Sequence, residues 1–111
     1  PNWVNIMGTK YKIGSVIHAT FDDLLPVFGV VKAIYVLSSS VKQVYFNTEI
    51  LHTEEFCEDY RTYIVRKMVH PELRLIPQRS LKYFLPLHFL KPYGTNEQLH
   101  VLPKHDIYNP N

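Results

Sequence analysis

The hydrophobic positions between residues 11 and 47 predict three consecutive antiparallel strands joined by short turns. The first, over 13–21, is rich in β-branched and aromatic residues and stops at the pair Asp22–Asp23, which favours a turn. The second, over 27–37, is almost wholly apolar, as is typical of a strand buried on most of both faces. The third, over 41–47, alternates polar and apolar residues. Three strands with short turns form a meander.

Gly29 interrupts the second apolar run. A glycine inside a strand usually marks a bulge or sharp bend, which lets a small sheet curl on itself. The pattern therefore predicts a mainly β chain, folded as a small curled antiparallel barrel.

The remaining segments give weaker signals. Residues 48–59 indicate either a strand continuation followed by a loop or one helical turn. A fourth strand is predicted over 60–69 and ends before Pro71, and a short fifth segment over 73–76 stops at Pro77.

Towards the carboxyl end, a short helical insertion is predicted over 80–85, with Ser80 as its cap. A last strand is predicted over 99–107, where Pro103 would confine it to an edge. The predicted organisation is a lead-in at 1–9, one domain at 10–108 and a tail at 109–111. The lead-in is expected to be loosely held, although Trp3, Val4 and Ile6 could dock on the barrel, with Trp3 as a lid or a ligand-stacking ring.

Length and composition fit one folded domain. The chain has 111 residues, of which 46% are hydrophobic and 14% aromatic, enough for one core without metal or disulfide support. The lone Cys57 cannot form an internal disulfide, which suits an intracellular, reducing compartment. No apolar run approaches the ~20 residues of a membrane helix. Because the chain starts at Pro1, we expect a domain of a longer protein.

The net charge is only +2, with a pI near 8.8. The distribution of the charges along the chain is more informative. One stretch is acidic: Glu49, Glu54, Glu55, Glu58 and Asp59. The following stretch is basic, interrupted only by Glu72: Arg61, Arg66, Lys67, Arg74, Arg79, Lys82 and Lys91. This asymmetry predicts one negative and one positive face, with ordinary solvated edges as the alternative.

No catalytic motif stands out, and we expect neither enzyme activity nor a cofactor. The six histidines lack the close ligand pairs of a structural zinc site, so no metal is expected. Cys57 has no sequence surroundings that would lower its pKa and is interpreted as a small loop residue. The four glycines are too far apart for a phosphate-binding loop.

Two resemblances add to this interpretation. The runs GSVIHATFDD, LPVFGVVKAIYV and VYFN resemble the first three strands of Tudor-type and Src-homology-3-like small barrels. Extended by TEEF, YRTYIV, SLKYFLPLHF and HVLPKHDI, the chain is similar to an uncharacterised domain of animal proteins derived from mobile elements. The resemblances imply a noncatalytic recognition module in a nuclear or nucleic-acid-handling protein.

The Tudor-like resemblance also implies an aromatic cage for a methylated ammonium group. Its walls would be Phe21, Phe28 and Tyr45, with Asp23 or Asn47 as the polar partner. The end of the third strand departs from the family pattern of aspartate, tyrosine, glycine and asparagine. Core packing of these aromatic residues is therefore the alternative.

The leading functional prediction is binding of nucleic acid or chromatin, because a basic groove with stacking aromatic rings suits single strands. The residues assigned to this role are Arg61, Arg66, Lys67, Arg74, Arg79, Lys82 and Tyr83. The alternative is a protein-interaction or dimerisation domain, acting through the cage or through strand addition at 41–47. Possible partners are thus nucleic acid, a chromatin peptide or a second copy of the chain, and no membrane.

Overall fold

A computed structural model describes residues 1–22, 24–38, 42–90 and 99–102 as antiparallel β-strands with one short 3-10 helix. The strands are β1 (Trp3–Ile6), β2 (Thr9–Lys12), β3 (Val16–Asp22), β4 (Leu25–Ser38), β5 (Lys42–Cys57), β6 (Thr62–Pro77), β7 (Tyr83–Leu90) and β8 (Leu99–Leu102). The 3-10 helix covers Gln78–Ser80. The predicted mainly β, antiparallel class is confirmed.

Six of the strands close into a ring in the order β3-β4-β5-β6-β8-β7, and β1 and β2 form a separate hairpin. The predicted meander is confirmed as β3-β4-β5. Its first strand begins at Val16 rather than at residue 13, because Gly14 adopts a φ of 95° in the turn after β2. Along β5, Val44 and Phe46 are buried while Tyr45 between them is not, as the alternation predicts.

The core consists of two clusters of buried apolar side chains. The first joins the hairpin to the meander: Val4, Tyr11, Ile17, Ala19, Val31, Ile34, Val44, Phe46, Ile50 and Ile76. The second lies among β3, β4, β5, β6, β7 and β8: Val16, Phe28, Leu51, Val65, Leu87 and Val101. The Tyr11 ring packs on Phe46 with centroids 5.0 Å apart, so the hairpin is part of the fold.

Residues 1–9 were expected to be loosely held, and that expectation is wrong. They form β1 and the start of β2, and Val4 is 6% exposed. Ile6 packs partly against the first core cluster, whereas Trp3 lies on the surface. Docking is thus confirmed for Val4 and Ile6.

The predicted end of a strand before Pro71 is also wrong, because β6 continues to Pro77. Its pairing with β5 passes from Lys67 opposite Leu51 directly to Glu72 opposite Ile50. Residues 68–71 are therefore extra, and a bulge of this kind tolerates proline because the ladder needs no N–H donor at that position. The acidic stretch belongs to β5 as far as Cys57, which confirms the strand continuation.

Gly29 does not sit at a bulge. The register shifts fall between His18 and Thr20 on β3 and between Val31 and Ala33 on β4. A Cβ atom on Gly29 would overlap Thr48 Cγ2 and lie 3.0 Å from the Glu49 carbonyl oxygen. The glycine permits close approach of β4 and β5.

Two predictions near the carboxyl end are corrected. No helix covers 80–85: one 3-10 turn ends at Ser80 and β7 begins at Tyr83. β8 lies between β6 and β7, not at an edge, and its expected continuation, with Pro103 and the tail at 109–111, lies outside the described residues. No helix in the described part of the chain is long and apolar enough to cross a membrane.

Candidate nucleic-acid interface

The predicted basic residues are spread along β6 instead of forming one patch. Arg61 lies in the turn before this strand and Arg79 follows its other end. A strand of 16 residues spans up to about 50 Å when extended. The two ends of the predicted site are therefore far apart.

Ion pairs offset two of these cations, and a third lies close to acidic residues in the sequence. Arg66 Nε lies 3.4 Å from Glu54 Oε1, and Arg74 pairs with Glu72. Arg61 follows the acidic pair Glu58–Asp59 in the same turn.

The other predicted residues lie in separate places. Lys67 is exposed on β6, and Lys82 is exposed just before β7. The Arg79 guanidinium lies 5.9 Å from the Tyr45 ring centroid. Tyr83 is half-buried against the second core cluster, so it offers little ring surface for stacking.

The predicted aromatic cage is not assembled. Phe28 is fully buried in the second core cluster and is excluded as a cage wall. Phe21 is exposed, and its ring is roughly perpendicular to that of His18, with centroids 4.8 Å apart. Tyr45 instead lies half-buried on β5, where its hydroxyl donates to Gln43 Oε1 at 3.0 Å. Asn47 is half-buried on the same face of β5, and Asp23 lies outside the described residues.

The predicted strand-addition edge is wrong for residues 45–47. From Tyr45 onward, β5 pairs with β4 on one side and with β6 on the other. Its backbone groups are therefore already used, and no partner strand can be added at 45–47.

A groove of about 540 Å³ separates β2 from β7. Its wall includes Lys10 and Lys12 from β2 and His88 and Phe89 from β7, and none of the described residues that line it is acidic. Both lysines point outward because Tyr11 between them is fully buried, as strand alternation requires. The groove thus has a row of cations on one wall.

Trp3 extends this surface across the hairpin. It pairs with Lys12 in the β1–β2 ladder, and Lys10 Nζ lies 4.9 Å from its ring centroid. The Trp3 side chain is 54% exposed and Phe89 is 38% exposed. Large aromatic rings at the surface beside cations are the combination that single-stranded nucleic acids require.

The described segments that build the groove and the adjoining hairpin carry no negative charge. No aspartate or glutamate occurs in residues 1–21 or 78–90. The acidic end of β5 is separated from β7 by β6 and β8 in the ring. The cations of this groove are Lys10 and Lys12, and none of the residues predicted to bind nucleic acid lines it.

Two histidines belong to the core. His18 and His100 are buried, and burial lowers the pKa of both. His18 Nε2 donates to the Thr20 carbonyl at 3.1 Å, and His100 Nδ1 hydrogen-bonds Thr62 Oγ1 at 2.6 Å. Among the residues that the structure describes, no cluster of histidine, cysteine, aspartate and glutamate side chains could hold a metal ion.

No protein-family model, curated protein or solved structure matches this chain. The functional proposal therefore depends on the geometry of the residues.

Proposed function

We propose that the chain is a noncatalytic recognition module that binds single-stranded nucleic acid along the groove between β2 and β7. The observation that carries this proposal is the meeting of Lys10, Lys12 and His88 with Trp3 and Phe89 at one surface. Lysine side chains neutralise phosphates and release their counterions, and exposed rings stack on unpaired bases. A nuclear protein of the kind implied by the sequence resemblances is the proposed parent.

The ligand class follows from the shape of the aromatic surface. Stacking on Trp3 or Phe89 needs bases that are not already stacked in a duplex, so single strands are the preferred form. The contacts are to phosphates and ring faces, which all nucleotides share. We therefore expect little sequence preference.

Fluorescence anisotropy with a labelled oligothymidylate of about 12 nucleotides tests the proposal at about 50 mM and about 200 mM salt. Replacing both groove lysines, in the double variant Lys10→Gln/Lys12→Gln, should weaken binding at low salt. It should also reduce the slope of log affinity against log salt by about 1.4, since each lost phosphate contact removes about 0.7.

The matched control is Arg61→Gln/Arg66→Gln, which removes the same net charge away from the groove. We expect it to retain most of the affinity and the slope. Trp3→Ala should cost about 1–3 kcal/mol of binding free energy with little change in slope, because stacking involves no counterions. Absence of binding at low salt, or equal losses in the two double variants, would reject the groove and favour protein contact as the function.

A further inference from the structure

Two strand edges, one on β3 and one on β6, are unpaired on one side and border the same part of the ring wall, which we call the seam. On one side of β3, Val16 and His18 pair with β7, and residues 19–22 have no described partner there. On one side of β6, residues 63–65 pair with β8, and residues 72–77 have no described partner there. Both edges line two recesses, of about 510 and about 300 Å³, that share Thr20 and Arg74.

The direction of the backbone groups along β6 follows from the neighbouring ladders. Val31 donates its N–H to Ser15 and accepts from Gly14, so both of its polar groups turn away from β5. Thr48, which lies opposite Val31 on β5, must then direct its own N–H and C=O groups away from β4, towards Arg74 on β6. Because these directions alternate along a strand, Leu73 and Leu75 direct their N–H and C=O groups into the seam.

The seam combines apolar walls with opposite charges at its two ends. The larger recess is lined by apolar side chains that include Leu25, Val27 and Met68, together with the carboxylates of Asp22 and Glu72. The smaller recess ends at Lys82. The Arg74–Glu72 pair is about half exposed on both sides, so it contributes at most about 1 kcal/mol and can be rearranged.

We propose that the seam binds an extended peptide segment of a partner protein as an added strand, antiparallel to β6. The added strand pairs with β6 alone, because β3 runs opposite to β6 and would be parallel to the added strand, and antiparallel pairing is the more stable per residue. The N-terminal end of the peptide then lies near Lys82 and its C-terminal end near Asp22 and Glu72. The peptide that fits has an acidic side chain towards its N-terminal end, β-branched residues between, and a basic side chain towards its C-terminal end.

This second site shares no residue with the groove between β2 and β7, so it goes beyond the proposed nucleic-acid function. The chain's own last described strand runs away from the seam, since Leu99 lies opposite Val65 and Val101 opposite Tyr63. We assign the seam to a separate polypeptide because the carboxylates at one end and Lys82 at the other complement a peptide with opposite charges at its ends.

The test uses a fluorescein-labelled, end-capped peptide of about six residues of alternating Val and Thr, with Glu at its first position and Lys at its last. A second peptide has Glu and Lys exchanged. We expect the first to bind about tenfold more tightly than the second. The protein variant Asp22→Lys/Lys82→Glu should invert this preference.

Amide hydrogen exchange supplies the readout specific to strand addition. The first peptide should slow exchange at Leu73 and Leu75, and leave Arg74 and Ile76, already bonded to β5, nearly unchanged. Binding without that protection, equal affinity for the two peptides, or no binding at all would each overturn the proposal. Protection of the same amides by self-association without peptide would overturn it too, in favour of a second copy.

The double variant Lys10→Gln/Lys12→Gln separates this proposal from the nucleic-acid site. It should bind the peptide as the unaltered chain does. Loss of peptide binding in this variant would place the peptide in the groove and overturn the assignment to the seam.

Discussion

Gly29 lies in the part of β4 that pairs with β3 on one side and with β5 on the other. Its partners are Ile17 and Ile50, and both are buried. The backbone φ of Gly29 is not in the left-handed region. Glycine is needed here because there is no room for a Cβ atom. A single missing methyl group at this position lets Thr48 fill the gap between β4 and β5.

The space requirement predicts a specific pair of substitutions. Gly29→Ala should lower the free energy of unfolding by about 1–3 kcal/mol, because the new Cβ overlaps Thr48 Cγ2 in a packed core. Adding Thr48→Ser removes that methyl group and keeps the hydroxyl that donates to the Phe46 carbonyl. Urea denaturation should show that the double variant loses less stability than the sum of the two single variants. Additive losses would show that contact with the Glu49 carbonyl oxygen, not with Thr48, limits the site.

The β1–β2 hairpin shows how an element can depend on an unusual turn. Met7 and Gly8 both have positive φ, 50° and 90°, as a two-residue hairpin turn of the primed type requires. The Gly8 N–H donates to Asn5 Oδ1 at 3.0 Å, which holds the turn. Methionine is unfavourable in the left-handed region, and its side chain is fully exposed.

Met7→Asn should therefore stabilise the protein, by roughly 0.5–1 kcal/mol, because asparagine tolerates positive φ and no side-chain contact is lost. Met7→Val is the matched control and should destabilise it by about 1 kcal/mol or more, since β-branched residues strongly resist this conformation. The midpoint of urea denaturation measures both. Shifts of the same sign in the two variants would contradict the role of the turn.

The same elements show why the sequence predicted some of this fold and not the rest. The meander was predictable because residues 13–47 carry strand-forming residues with clear turn signals. The hairpin was missed because Met7 occupies a position where asparagine or aspartate gives the usual signal. β6 was divided in two because Pro71 ends a regular strand, whereas a bulge opposite β5 accommodates it.

The candidate site was only partly predictable for a similar reason. The excess of basic residues in the sequence pointed to β6. There Arg66 pairs with Glu54 and Arg74 pairs with Glu72, so these cations are offset. Lys10 and Lys12 are two charges in a short strand, and tertiary packing alone brings them to His88 on β7. The available signal was the absence of acidic residues from the first 21 positions.

At the scale of the whole molecule, two buried histidines make the stability of the ring depend on pH. Each has one ring nitrogen without a hydrogen-bond partner among the described residues. His18 is 2% exposed and His100 is 1% exposed. Among the described residues, no group hydrogen-bonds Nδ1 of His18 or Nε2 of His100. Protonating either ring would place a positive charge in the interior. Burial accordingly lowers both pKa values, and Lys82 lowers that of His18 further, against an opposing effect of the Thr20 carbonyl.

This arrangement fixes the direction of the pH dependence. In the unfolded chain both rings titrate near pH 6.5, whereas in the folded chain each stays neutral to a lower pH. The stabilisation is therefore fully present above about pH 6.5 and is lost as the pH falls from there through the folded pKa values.

Urea denaturation between about pH 8 and pH 5, above the range in which carboxylates titrate, should show a plateau and then a decline of up to about 1.4 kcal/mol per pH unit for each histidine. His18→Phe keeps an aromatic ring against Phe21 and Phe28 but removes one titrating group, so its decline should be less steep. An unchanged slope in that variant, or stability that rises on acidification, would show that His18 does not couple folding to protonation.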